Sequence, residues 1–216
     1  KLFEAGKIYI KKEGEKLPEE RNILTIGMYG DCDFFHLKGI VENIVDALGI
    51  KKAKYVRESE NPTFHPGKTA ALVIRGKKVG VFGEVHPDVA ENYSIDVPCM
   101  LAELDLDKLY EASNTTKKYS PIAKFPAATR DISVVVNDNI LAGDIYDIIK
   151  KAGGALIEKI SLFDIYKGEQ IEKGKKSMAY AIIYRNNKKS LTDEEVNKVH
   201  DRILKSLEKE VDAELR

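Results

Sequence analysis

The stretch LIEKISLFDIYKGEQIEKGKKSMAYAIIYR (156–185) decides the fold of the second half of the chain. It holds two apolar, β-rich runs, 156–166 and 177–185, joined by a polar turn, and this pattern predicts a β-hairpin. DISVVVN (131–137) predicts a strand before it. AGDIYDIIKKAGG (142–154) carries apolar residues at helical spacing and ends on two glycines, so it predicts a helix between the first two strands.

A last helix and a short strand complete this half. Thr192 and Glu195 have the spacing of a capping box. The apolar stripe of the helix that follows comprises Val196, Val199, Ile203 and Leu207. The terminal ELR (214–216) can add an edge strand. The order is therefore βαββαβ, the split βαβ of ferredoxin-like folds, in which both helices cover one face of the sheet and leave the other face free.

The first half predicts a mainly antiparallel α+β domain. ILTIGMYG (23–30) reads as a strand, and the following run has helical spacing between Asp33 as N-cap and Gly49 as C-terminal stop. The segment 71–85 predicts a β-hairpin, and CMLAELDLD (99–107) a further strand. The polar segment EASNTTKKYS (111–120), followed by a proline, predicts a linker. We therefore expect two α+β domains, at 1–112 and 119–216.

Composition narrows the class of protein. The 216 residues are 43% hydrophobic and 32% charged, with zero formal net charge, which is typical of a globular protein and not of one that coats nucleic acid indiscriminately. No apolar run is long enough for a membrane helix, and the first residues already read as a strand, so we expect a piece of a longer polypeptide. Cys32 and Cys99 are far apart in sequence, which predicts two buried thiols in a reducing, cytoplasmic compartment.

Catalytic motifs are weak. Gly67-Lys68-Thr69 invites a phosphate-loop interpretation, but the position that needs glycine is Pro62. The four histidines have no metal-binding spacing, and no nucleophile elbow or dinucleotide fingerprint is present. We therefore expect no catalytic residue, no metal site and no cofactor within this chain.

The distribution of basic residues is more informative. Six cations and no acid lie between 173 and 189, at both ends of the third predicted strand. They are Lys173, Lys175, Lys176, Arg185, Lys188 and Lys189. One interpretation is two solvated loops; the other is a pair of phosphate-binding rims beside an open sheet face that holds single-stranded RNA. Lys124 and Arg130 flank the first strand as further phosphate candidates, although Arg130 could instead pair within the fold.

Alternation along the strands predicts which side chains the open face presents. Met178, Tyr180, Ile182 and Tyr184 are assigned to the core, together with Ile132, Val134, Val136, Ile160 and Leu162. Lys159, Ser161, Phe163 and Ser177 are then predicted to face outward. We expect Phe163, Ser161 and Ser177 to contact bases. For Phe163, a core position in a strand of inverted facing stays open as an alternative.

Several motifs resemble one family across nearly the whole chain. FPAATRDISVVV (125–136), LFDIYKGE (162–169), GKKSMAYAIIYR (174–185) and SLTDEEV (190–196) resemble the anticodon-binding domain of bacterial phenylalanyl-tRNA synthetase β subunits. Upstream, FEAGKIY, DFFHLKGIVE, FHPGKTA and VGVFGEVHPDV resemble the synthetase-like core of the same subunit, which has the class II fold without its catalytic motifs.

This resemblance implies a function. The complex charges tRNA-Phe with phenylalanine, using ATP and Mg²⁺ on the partner α subunit, in an (αβ)₂ assembly; the editing site lies in another part of the β subunit. It also implies that the HPGK segment (65–68) is structural. The lack of an ATP-binding arginine agrees, since the first half has only Arg21, Arg57 and Arg75.

Two alternatives remain open. The chain could be a purely structural module that holds the α subunit without touching RNA. It could also be a regulatory domain for a small molecule, because ferredoxin-like domains can bind amino acids between subunits.

Overall fold

The computed structural model describes residues 1–116, 119 and 121–215. The chain divides into two compact units, Lys1–Tyr119 and Ser120–Arg216, here called unit 1 and unit 2. The predicted linker at 111–120 lies partly outside the described residues, because 117, 118 and 120 are not described. Its first two residues were assigned wrongly, since they complete a helix that ends at Ala112.

Unit 1 is built on a six-stranded antiparallel sheet of order β1-β2-β6-β5-β4-β3. Its elements are β1 (Leu2–Ile10), β2 (Glu19–Tyr29), α1 (Phe34–Ala47), β3 (Ala53–Arg57), β4 (Phe64–Ile74), β5 (Lys77–Val85), α2 (Pro87–Asn92), β6 (Cys99–Asp105) and α3 (Leu106–Ala112). The predicted antiparallel α+β class is confirmed. Helix α3 is new, because the sequence pattern had continued the strand to residue 107.

Local sequence signals explain the ends of these elements. The Asp33 side chain accepts a hydrogen bond from the His36 backbone N–H at 2.8 Å, so Asp33 caps α1 as predicted. Gly49 follows the C-terminal end of α1 with φ of 65°, a conformation that glycine adopts at no steric cost. Arg75 and Gly76 both have positive φ, as the two-residue turn between β4 and β5 requires. The predicted hairpin is confirmed.

The core of unit 1 lies between α1 and one face of the sheet. Leu37, Val41 and Val45 are the buried residues of α1, and they pack against apolar strand residues such as Phe82 and Leu104. Phe82 and Leu104 are fully buried. This arrangement follows from the three-to-four-residue spacing of the apolar positions in α1.

Unit 2 confirms the ferredoxin-like prediction. Its elements are β7 (Ala128–Asn137), α4 (Ala142–Gly153), β8 (Ile157–Tyr166), β9 (Lys175–Tyr184), α5 (Asp193–Val211) and β10 (Glu214–Leu215). The sheet is antiparallel with order β10-β7-β9-β8. Thr192 and Glu195 form the predicted capping box of α5.

The core of unit 2 lies on the helix side of this sheet. The predicted inward residues of β7 and β9 are all buried. They pack with Ile145 and Ile149 of α4 and with the apolar stripe of α5. Tyr180, also buried, satisfies its hydroxyl by donating to the Ala142 carbonyl at 3.0 Å. The opposite face of the sheet carries no helix of unit 2 and presents a mixture of small, polar and larger side chains.

Strand β8 departs from simple alternation. Its register with β9 shifts between Leu162 and Asp164, so that one extra residue, Phe163, is inserted there. Leu162 pairs with Tyr180 on the helix side but is 37% exposed, so its assignment to the core was wrong; β8 is an edge strand. The bulge also moves every later residue of β8 to the face opposite to the one that alternation predicts.

Two further predictions concern the chain as a whole. Cys32 and Cys99 are free thiols, and both are half-buried instead of fully buried. Burial raises the pKa of the Cys99 thiol. Among the helices that the structure describes, none is long and apolar enough to cross a membrane.

Candidate nucleic-acid interface

The open face of the unit 2 sheet is a shallow surface of small side chains. Strand register places Ser133 beside Ala179, and Ala179 beside Asp164. The next row of the same face runs from Val135 through Ser177 to Tyr166. In these rows the central strand β9 contributes only the small residues Ala179 and Ser177, so the middle of the face is low, with Val135 and Tyr166 at the sides of the second row.

The three residues predicted to contact bases, Ser161, Phe163 and Ser177, differ in how exposed they are. Ser161 lies on the open face opposite Ala181 and is partly exposed. Ser177 lies on that face as well but is only 5% exposed, and its hydroxyl is 3.2 Å from the Ser133 hydroxyl. Ser177 is therefore less accessible to a base than predicted, because its short side chain lies between Val135 and Tyr166 of the two flanking strands.

Phe163 is 59% exposed, as predicted. The alternative of a buried core position is excluded. The reason given for its facing was wrong, however, because Phe163 is the extra residue of the bulge and the next residue on the open face is Asp164.

Tyr166 is the aromatic residue that the sequence analysis missed on this face. It pairs with Ser177 and is 38% exposed. Strict alternation from Ile160 would have placed Tyr166 in the core, and the bulge reverses this. The period-two pattern does not mark this bulge: Leu162 and Ile165, three positions apart, lie on the same side of the sheet only because Phe163 is inserted between them. A Cβ at Gly168 would lie 2.4 Å from the Tyr166 hydroxyl oxygen, so this glycine leaves room for the tyrosine.

Most of the predicted phosphate-binding cations are engaged within the protein. The Lys175 ammonium lies 2.6 Å from a Glu214 carboxylate oxygen and 3.0 Å from one of Glu172. These hydrogen bonds raise the pKa of Lys175. Arg185 binds the Glu158 carboxylate at 2.6 Å and the Phe125 carbonyl at 2.5 Å.

The remaining engaged cations follow the same pattern. Arg130 pairs with Asp193 at 2.7 Å, which bears out the internal pairing left open above, although with a different aspartate from its neighbour in sequence. Lys189 pairs with Glu195 of the capping box. Lys176 donates to the Asp138 carbonyl at 2.8 Å, and desolvation by burial lowers its pKa. The rims carry less free positive charge than the acid-free run in the sequence suggested, because acids arrive from other elements.

Four predicted or neighbouring cations stay available. Lys124, Lys159, Lys173 and Lys188 are exposed, and their ammonium groups have no ion-pair partner within the described part of the chain. Lys159 lies on the open face opposite Ile183, on the same edge strand as Tyr166. Lys167, next to Tyr166, was not predicted; it pairs with Asp138 at 2.8 Å. The available charge therefore includes Lys159 on the face that carries the exposed tyrosine.

In unit 1 the polar groups of the HPGK motif are engaged in local contacts. The His65 ring accepts a hydrogen bond from the Gly67 backbone N–H at 3.0 Å, and the Lys68 ammonium is paired with Glu84 at 2.6 Å. Thr69 donates its hydroxyl to the His65 carbonyl at 2.7 Å. The polar groups of the HPGK segment are thus used to shape β4. Over residues 1–116, 119 and 121–215, no group of three or more His, Cys, Asp or Glu residues could hold a metal ion.

The arginines of unit 1 are dispersed as well. Arg21 binds Glu19 at 2.6 Å, and Arg75 reaches the Ala112 carbonyl at 3.5 Å from the hairpin turn. These two side chains serve local contacts.

Comparison with known proteins connects these observations to a family. Residues 123–216 match the family model of the ferredoxin-fold anticodon binding domain. Residues 1–106 match the phenylalanyl tRNA synthetase beta chain CLM domain. Among solved structures, a pyrrolysyl-tRNA synthetase of Desulfitobacterium hafniense (PylSc) is 19% identical with a TM-score of 0.41, and the match covers 50% of this chain and 39% of that synthetase chain.

Curated relatives align along the entire chain. The phenylalanine–tRNA ligase beta subunit of Clostridium acetobutylicum is 53% identical over 217 residues, and that of Clostridium tetani is 54% identical. Each alignment covers 100% of this chain and 27% of the relative, so the chain spans about a quarter of the length of the relatives it matches. The two matching models and these full-chain identities show that the chain belongs to the family of phenylalanine–tRNA ligase β subunits.

Proposed function

We propose that this chain is the part of a phenylalanine–tRNA ligase β subunit that binds the anticodon region of tRNA-Phe. In this proposal residues 119–216 form the ferredoxin-like anticodon-binding domain. Residues 1–112 form an inactive synthetase-like core that supports the catalytic α subunit. Activation of phenylalanine with ATP and Mg²⁺ takes place on that subunit, in a cytoplasmic (αβ)₂ enzyme.

One observation carries the proposal. The unit that matches the anticodon-binding family has an uncovered sheet face, and that face presents an exposed aromatic ring, Tyr166, beside small side chains. Single-stranded RNA loops are held on such faces by stacking of unpaired bases on aromatic rings.

Individual residues take distinct roles in this proposal. Tyr166 and Phe163 stack on bases, and Ser161 offers a hydroxyl to a base edge. Lys159, Lys124 and Lys188 bind phosphates, since no acid pairs with their ammonium groups within the described residues.

The paired cations have a smaller part. Arg130, Lys175, Arg185 and Lys189 would each have to exchange an internal carboxylate for a phosphate, and Lys176 an internal carbonyl. This exchange reduces the net gain from each contact. Their main role is therefore to fix the loops at the two ends of β9.

A second candidate is favoured by the same pairing. If internal ion pairs neutralise most of the rims, unit 2 could serve assembly with the α subunit and make no RNA contact. In that case the full chain would capture the α subunit tightly and bind tRNA no better than a neutral protein of equal size does.

A rise in thermal stability with free phenylalanine and no RNA would instead favour a regulatory domain.

The test is tRNA binding by the full chain at two salt concentrations. Labelled tRNA-Phe and an anticodon-swapped transcript are titrated in parallel by fluorescence anisotropy. The expected result is tighter binding of tRNA-Phe, with log K falling against log salt with a slope of about two or steeper, as three or more phosphate contacts require. Equal and salt-independent affinities for both RNAs would contradict the proposal.

A further inference from the structure

The outer face of α5 carries a row of cations that does not belong to the open face of the sheet. Lys198, Arg202, Lys205 and Lys209 follow one another at intervals of four, three and four residues. At 3.6 residues per turn these positions fall on one side of the helix, and at 1.5 Å per residue they extend over about 16 Å. The buried stripe of α5 occupies the other side, so the row points away from the core.

These cations are exposed and largely unpaired. Lys198, Lys205 and Lys209 have no ion pair or hydrogen bond from their ammonium groups to any residue that the structure describes. Arg202 is held by one contact, from its Nε to the Ala152 carbonyl at 2.7 Å, which caps the C-terminal end of α4. Its two terminal nitrogens stay available, so four cationic heads are presented together.

Acids lie beside this row and not within it. Glu194, Asp201 and Glu208 recur at seven-residue intervals, which places them along one flank of the row. Glu210, on the other flank, is 3.6 Å from Lys151. The four cations, Lys198, Arg202, Lys205 and Lys209, therefore form a continuous basic ridge along the helix. None of these carboxylates forms an ion pair with the ridge in the part of the chain that the structure describes. By contrast, the predicted rims of β9 hold most of their cations in internal pairs.

We propose that this ridge is a second nucleic-acid contact of unit 2, which binds the sugar–phosphate backbone without reading sequence. The inference rests on the proposed function, because a chain that holds the anticodon region of a tRNA meets phosphates beyond the bases it reads. A row of unpaired lysines over about 16 Å is long enough to meet several successive phosphates along one strand. The ridge therefore contributes affinity and salt dependence, while the open sheet face contributes discrimination.

The test uses three variants of the 216-residue chain. The first carries Lys198→Gln, Lys205→Gln and Lys209→Gln, which removes three charges at exposed positions and keeps good helix formers in place. The second carries the matched changes Lys11→Gln, Lys51→Gln and Lys77→Gln in unit 1, where these lysines are equally exposed and without a pair in the described chain. The third replaces the three α5 lysines with arginine.

The first variant is expected to weaken tRNA-Phe and anticodon-swapped tRNA by the same factor. Loss of three phosphate contacts lowers the salt slope by about two, so the affinity falls by about a hundredfold at 0.1 M salt, given equal affinities at 1 M. The arginine variant keeps the wild-type slope, and the unit 1 variant changes it by less than half a unit. An unchanged thermal transition shows that the first variant is folded.

Other outcomes overturn the inference in distinguishable ways. If wild type prefers tRNA-Phe but the first variant keeps the full slope, the ridge is not a contact and the proposed function stands. If the first and second variants lose affinity equally, only total charge matters, and the ridge is again excluded. If wild type binds neither RNA, both proposals fail. Binding of wild type to phosphatidylserine vesicles but not to RNA would assign the ridge to a lipid surface instead.

Discussion

The two units solve the same packing problem and use their polar side chains in opposite ways. Each packs helices against one face of an antiparallel sheet to form its main core. In unit 1 the motif that looks most like a binding loop is HPGK, and its polar groups form internal contacts, such as the ion pair of Lys68 with Glu84. In unit 2 the open face presents the partly exposed ring of Tyr166, and several lysines have no ion pair among the described residues. The difference teaches that a motif is a guide to binding only when the fold leaves its groups exposed.

The largest expected effect is a loss of stability in unit 2 that leaves the core of unit 1 unchanged. Ile203 is fully buried in the core of unit 2. Ile203→Ala removes that packing and is expected to lower the free energy of unfolding of unit 2 by about 2–5 kcal/mol. Hydrogen exchange of the full chain measures both units at once. Amides of β7 and β9 should lose protection while those of β2 and β6 keep theirs; an equal loss in both would show that the units do not unfold separately.

A substitution in unit 1, Gly83→Ala, should lower the stability of unit 1 alone. A Cβ at Gly83 would lie 2.4 Å from the Lys68 carbonyl oxygen and 2.7 Å from the Thr69 Cα, where β5 pairs with β4 directly after the HPGK segment. Because both are backbone atoms, Gly83→Ala must displace β4 and is expected to cost about 1–3 kcal/mol. Gly143→Ala in α4 is the control, since a Cβ there meets nothing within 4 Å.

Thermal unfolding and tRNA titration of these two glycine variants sharpen the comparison. Gly83→Ala should destabilise unit 1 and leave tRNA affinity unchanged at temperatures where the protein is folded. A loss of tRNA affinity without any loss of stability would mean that the HPGK segment contacts RNA after all.

Removal of the exposed tyrosine tests the open face of unit 2. Tyr166→Ala is expected to weaken tRNA-Phe by about 1–3 kcal/mol, the usual value of one stacked base, with no change in stability of similar size. The matched control is Tyr93→Ala in unit 1, because Tyr93 is 76% exposed and lies outside both proposed RNA contacts. If the Tyr93 variant loses as much affinity as the Tyr166 variant, RNA does not bind specifically at the open face.

The smallest effect concerns pH. The His200 ring nitrogen is 3.0 Å from the Tyr184 hydroxyl, and desolvation lowers the His200 pKa below its ordinary value; Asp201 opposes this shift and Arg130 adds to it. The unfolded chain therefore binds a proton more readily, so His200 favours folding above about pH 6.5, and this stability is lost as pH falls toward the lower folded pKa. Chemical denaturation of unit 2 at a series of pH values should show this slope, and His200→Asn should flatten it. A variant with the full slope would assign the dependence to other groups.

The sequence predicted the fold of unit 2 well because its signals are local. These signals are the capping box at Thr192, the helical spacing of α4 and the alternation of β9. Each of them depends on residues that are close together in the sequence. Helix α3 was missed because Leu106 and Asp107 continue the alternation of β6, while the aspartate that caps the helix, Asp105, also ends the strand.

The site was less predictable because it depends on contacts between distant residues. The acid-free run from 173 to 189 gave no sign that Glu158, Glu195 and Glu214 would meet its cations. One bulged residue in β8 was enough to place Tyr166 on the open face, against the prediction from alternation. Pairing across elements and a single inserted residue are both invisible to a period-two pattern.

The most direct test of the central claim is a crosslink from the anticodon itself. An anticodon stem-loop of tRNA-Phe with 4-thiouridine in the loop is irradiated with the full chain, and the attached peptides are identified by mass spectrometry. We predict crosslinks in β8 and the turn that follows, with Tyr166 or Phe163 modified, and their loss when the anticodon is swapped. Crosslinks confined to unit 1, or unaffected by the anticodon, would contradict the claim that the open face of unit 2 holds the anticodon.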